Sequence, residues 1–81
     1  MKKIEPGDIV IIRTSGEEIV VYESPFTDDF SFVWESFGRT VELLGVVIDE
    51  HHNVDYNLTF FHVVMPHCVV WIASVHVYAS V

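Results

Sequence analysis

The sequence predicts an all-β domain: a small five-stranded barrel with an enlarged first loop rich in aromatic and acidic residues. Three observations lead there. Runs of β-branched residues such as Ile9-Val10-Ile11-Ile12 and Ile19-Val20-Val21 recur along the chain; they lose helix propensity and suit a pleated surface. Glycine, proline and Asp/Ser pairs punctuate these runs at short intervals. No apolar stripe of period 3.6 and useful length occurs, so no helix is predicted.

Taken in order, Pro6-Gly7-Asp8 is a turn and Ile9–Arg13 a strand, closed off at Ser15-Gly16. Ile19–Tyr22 reads as a second extended stretch, the return arm of a hairpin. From Ser24 to Arg39 the turn formers Pro25, Asp28, Asp29 and Gly38 are interleaved with Phe26, Phe30, Phe32, Trp34 and Phe37. A disordered linker is poor in aromatics, so this segment is expected to be a folded loop or short strands packed on something. Val41–Glu50 is the next strand, with Gly45 marking a bulge or bend. His51–Asn57 is polar and expected as a loop. Leu58–Met65, Cys68–Ala73 and a short Val75–Tyr78 complete the strands, with Pro66-His67 as a turn.

The 81 residues are expected to form one domain, residues 1–81. A domain of this size buries only a little over ~60% of its unfolded surface, yet 51% of its residues are apolar and only 20% charged. A small domain ought to be more polar than average, so part of this surface is expected to be covered by a partner. The last 24 residues, Leu58 to Val81, contain no Lys, Arg, Asp or Glu. That length spans a bilayer as a helix. Three histidines, Pro66 and the absence of a basic flank oppose a membrane reading. As strands, the segment places Phe61, Val63, Met65, Val69, Trp71, Ala73 and Val75 on one face. Phe60, His62, Val64, Cys68, Val70, Ile72 and His76 fall on the other. Both faces are apolar, whereas a solvated barrel strand alternates apolar and polar. Protein contacts are therefore expected through Phe60, His62, Val70 and Ile72, together with the loop aromatics Phe26, Phe30, Phe32, Trp34 and Phe37.

Four basic residues against twelve acidic ones give a net charge of −8. Phosphate binding relies on Lys and Arg releasing counterions, so nucleic acid is not an expected partner. The single cysteine, Cys68, excludes an internal disulfide and a CxxC pair. Met1–Asp8 runs into charged and turn residues rather than an apolar stretch, so no signal peptide is expected.

No chemistry-bearing constellation survives its own geometry. Asp49-Glu50-His51-His52 offers four metal ligands, but neighbours on a strand point to opposite faces. His62, His67, Cys68 and His76 match no zinc spacing. A Cys/His dyad is seldom built from sequence neighbours such as His67 and Cys68, and no oxyanion turn accompanies them. No phosphate loop, dinucleotide fingerprint or nucleophile elbow is present. No cofactor, metal or enzymatic activity is therefore expected. Asp28, Asp29 and Glu35 beside the loop aromatics form an acidic surface suited to a basic or proline-rich ligand.

Glu5-Pro6-Gly7-Asp8-Ile9-Val10 resembles the start of the first strand of SH3-like, KOW-type barrels. Leu44-Gly45-Val46-Val47-Ile48-Asp49 resembles the central strand of short phage-encoded barrel proteins. There a glycine-led apolar strand precedes an aromatic strand, a turn, a tryptophan strand and a short closing strand. Phe60–Met65, Pro66-His67, Val69-Val70-Trp71-Ile72 and Val75-His76-Val77 follow that order. The resemblance covers Glu5–Ile12 and Val41–Tyr78, leaving Ile19–Arg39 as the enlarged loop. It implies a phage structural or accessory protein in the virion or the host cytoplasm, whose partners are virion subunits or further copies of itself. An acidic inhibitor or adaptor that binds a host protein is the alternative. KOW-type nucleic-acid binders are usually basic, and this acidic chain departs from them there.

Overall fold

The computed structural model describes residues 3–15, 19–22, 30–34, 40–55, 57–66 and 68–80; residues 14–15, 19–20, 30–34 and 40–41 are described by backbone alone. The turn into the first strand is set by two residues. Pro6 and Gly7 occupy the middle of a four-residue turn in which the Asp8 N–H donates to the Glu5 carbonyl at 3.1 Å. Gly7 has φ +99°, the conformation that the third position of a type II turn requires. The Asp8 carboxylate accepts from the Glu5 N–H at 2.9 Å.

Among the described residues seven strands follow: β1 (Ile9–Ser15), β2 (Ile19–Tyr22), β3 (Phe30–Trp34), β4 (Thr40–Asn53), β5 (Leu58–Met65), β6 (Cys68–Ala73) and β7 (Val77–Ala79). They make one antiparallel sheet in the order β3-β2-β6-β5-β4-β1-β7. The fold is all-β. Of the expected five-stranded barrel the structure shows the all-β character; among the described residues there are seven strands and the pairing is open, with β3 and β7 at its ends. The two further strands are β2 and β3; β3 lies in the aromatic segment expected as a folded loop or short strands, where Phe30–Trp34 pairs with β2. Nor is β2 the return arm of a hairpin with β1; it pairs with β3 and β6.

β4 holds the sheet together. Its first half pairs with β1 and its second half with β5. The register slips between Val47 and Asp49, leaving Ile48 as an extra residue. The bulge expected at Gly45 falls three residues later, at Ile48. Gly45 itself answers a different need: a Cβ there would lie 2.5 Å from Val63 Cγ1 and 3.1 Å from Met65 Cγ. β4 also runs on through His51–Asn53, which the polar composition had suggested as loop. The expected last strand Val75–Tyr78 is divided: Ser74–His76 is a single 3₁₀ turn, and Val77–Ala79 pairs with β1.

The core is one cluster of Val10, Ile12, Val21, Val47, Phe61, Val63, Met65, Val70, Ile72 and Val77. Its composition corrects the face assignment of the C-terminal strands. Met65, the last residue of β5, pairs with Cys68, the first of β6, three positions on. Counting parity straight through the chain would put these two on opposite faces. Phe61, Val63 and Met65 therefore share a face with Val70 and Ile72, not with Val69 and Trp71.

Candidate interaction surface

With the core on one side, the other side of the sheet carries two distinct zones. The first is aromatic. Tyr22 of β2, Trp71 of β6, His62 of β5 and Asp49 of β4 stand opposite one another in register. The His62 ring stacks on the Trp71 indole with centroids 4.4 Å apart and planes 7° from parallel. Tyr22 meets Phe60 edge to face at 5.4 Å. Phe60 and Trp71 are only 5% and 8% exposed although neither belongs to the core cluster. These rings cover one another, each pair worth ~0.5–1.5 kcal/mol beyond its buried area.

The second zone is aliphatic and open. Ile9 pairs with Val46, Val46 with Val64, and Val64 with Val69. Cross-strand partners project from the same face, so these four side chains form a continuous row across β1, β4, β5 and β6. Their exposures run from 37% to 57%. Leu44 and Tyr78, opposite Ile11 on its two sides, extend the row, and the bulge residue Ile48 adds another exposed side chain. Scattered exposed aliphatics are ordinary on any protein; a contiguous patch is not. Arg13 and Glu42 stand at one end, paired with each other at 3.3 Å. The Arg13 guanidinium also lies over the Tyr78 ring, 5.0 Å from its centroid. Both charged groups are about half exposed, so the ion pair contributes at most ~1 kcal/mol.

The residues anticipated as interface divide accordingly. Val70 and Ile72 point into the core. Phe60 is buried and His62 half-buried within the aromatic zone. The backbones of Phe30, Phe32 and Trp34 lie in β3. Phe26, Phe37 and the acidic residues Asp28, Asp29 and Glu35 lie outside the described residues, as does His67.

Asp49-Glu50-His51-His52 is dispersed by the strand. Asp49 and His51 oppose His62 and Phe60 on the outer face, whereas Glu50 and His52 oppose Phe61 and Thr59. His52 Nδ1 lies 3.1 Å from the Thr59 hydroxyl. Among the described residues no three His, Cys, Asp or Glu side chains stand where they would hold one metal ion. The uncharged C-terminal segment forms β5, β6, the 3₁₀ turn and β7, and no helix among the described residues is long and apolar enough to cross a membrane. No family model, curated protein or solved structure matches this chain.

Of the aliphatic row, Val64 and Val69 lie in strands that the sequence marks as apolar on both faces, whereas Ile9 and Val46 escape that reading. A signal was present: Ile9-Val10-Ile11-Ile12, Leu43-Leu44 and Val46-Val47 are apolar at consecutive positions, which on a strand means apolar on both faces.

Proposed function

We propose that this protein is a non-enzymatic structural component that works through protein–protein contacts, a small phage virion part such as a capsid decoration, neck or tail protein. The observation that carries the protein-contact reading is the in-register row Ile9–Val46–Val64–Val69, left open to water on the outer face of the sheet. An enzyme needs convergent polar groups, whereas a contiguous aliphatic patch is what a protein partner covers.

The virion assignment rests on the resemblance to short phage-encoded barrels. The order of β4, β5, β6 and β7 supports it: a glycine-bearing apolar strand, an aromatic strand, a tight turn, a tryptophan strand and a short last strand. In the SH3-like reading, β1, β4, β5, β6 and β7 are the five barrel strands. The hairpin β2–β3 is then an elaboration of the enlarged first loop. The test is native mass spectrometry of the chain isolated from the cells or particles that produce it. The expected result is a stoichiometric complex containing virion proteins or several copies of the chain. A free monomer, with no assembly partner at any stage of isolation, overturns the reading.

A further inference from the structure

We infer that the occupant of the aliphatic row is a second copy of this chain, packed face to face across Ile9, Val46, Val64 and Val69. This rests on the protein-contact reading above and names the partner. Three features of the patch select a second copy. The first is area. From the fractional exposures of Ile9, Leu44, Val46, Ile48, Val64, Val69 and Tyr78, the surface that these residues leave open is on the order of 600 Å² in all, about three quarters of the ~800 Å² that each partner contributes to a standard interface. It also stands at the upper end of the ~300–600 Å² found as the largest patch on monomers.

The second is charge. At a net charge of −8, two copies repel wherever acidic surface meets acidic surface. The row itself contains no charged residue. At one end Arg13 and Glu42 neutralise each other at 3.3 Å. At the other, Asp49 stands one row away, opposite His62. The third is symmetry. In a twofold interface each copy presents the same patch, so the patch must complement itself. A band of aliphatic side chains with a cancelled charge pair meets that condition. A patch of one sign would not.

The experiment is native mass spectrometry and sedimentation of the purified full chain, alone, over a range of micromolar concentrations. Wild type is compared with Val46→Asp, Val64→Asp and Val54→Asp. The expected result is a wild-type dimer, a dissociation constant raised roughly a hundredfold or more in Val46→Asp and Val64→Asp, and no change in Val54→Asp. Val54 is 82% exposed in the turn after β4 and lies off the row, so it controls for added charge. The tryptophan fluorescence and near-ultraviolet circular dichroism of the variants verify that they fold, since the replaced side chains lie outside the core. A wild-type monomer up to ~100 μM, far above the affinity range of stable interfaces, overturns the inference. A dimer that all three variants form equally well does so too. If the pure chain is monomeric but enters a stoichiometric complex with other proteins at its source, the second copy is excluded and the protein-contact reading stands. If it is monomeric in both settings, both fail.

Discussion

Two neighbouring valines carry the two-faced character of the sheet. Val63 is fully buried in the core cluster, and Val64 projects into the open row. Removing two methyl groups from Val63 leaves a cavity in close-packed surroundings and is expected to cost about 2 kcal/mol. The same change at Val64 is expected to stay within ~0.5 kcal/mol in the monomer. Urea denaturation of Val63→Ala and Val64→Ala at a concentration too low for association measures the contrast; equal losses would mean that the faces are wrongly assigned. Gly45 is the second decisive residue. A Cβ would come 2.5 Å from Val63 Cγ1 and 3.1 Å from both Met65 Cγ and the Val64 carbonyl oxygen. Gly45→Ala must displace buried neighbours and is expected to destabilise by ~1–3 kcal/mol, read as a lower urea midpoint at unchanged slope. Neither residue's role is legible from its type alone. Gly45 is legible as a special position in a strand, but close approach and bulge are alternatives that only the neighbouring strand decides.

At the scale of elements, local chemistry was legible and pairing was not. β1, β5 and β6 are announced by β-branched and aromatic runs between turn residues, and the structure has them at those positions. The Pro6-Gly7 turn is equally plain, because proline presets φ and glycine alone enters the left-handed region without cost. Gly7→Ala meets no atom within 4 Å, so its whole effect is conformational. It is expected to lose ~1–2 kcal/mol, detectable as a lower thermal midpoint. The turn is also tied to β4: the Gly7 N–H donates to the Val47 carbonyl at 2.7 Å, and the Val47 N–H donates to Asp8 O at 3.0 Å. Strain at Gly7 should therefore loosen β4 near the bulge, and amide exchange at Val47 should quicken in the variant. The partner of β2 was not legible, because antiparallel pairing with β6 joins residues some fifty positions apart. The faces of β5 and β6 are not legible for a simpler reason: Met65 pairs with Cys68, three positions on, which resets the alternation, and the Ile48 bulge does the same within β4.

For the molecule as a whole, the apolar excess has a definite location. The radius of gyration is 12.0 Å, close to the ~11.7 Å of a compact chain of this length, so the excess does not arise from an expanded fold. A thin core takes one face of the sheet, the aromatic rings of Tyr22, Phe60, His62 and Trp71 cover part of the other, and the row from Ile9 to Val69 is what remains. Composition alone shows the apolar excess. It did not say where, because the row draws one residue from each of four strands and exists only once they are in register. The most direct measurement is hydroxyl-radical footprinting of the associated wild-type protein against dissociated Val64→Asp. Protection is expected at Ile9, Leu44, Val46 and Val69, with Val54 labelled equally in both. Full labelling of the row in the associated protein, with protection elsewhere, would contradict the account.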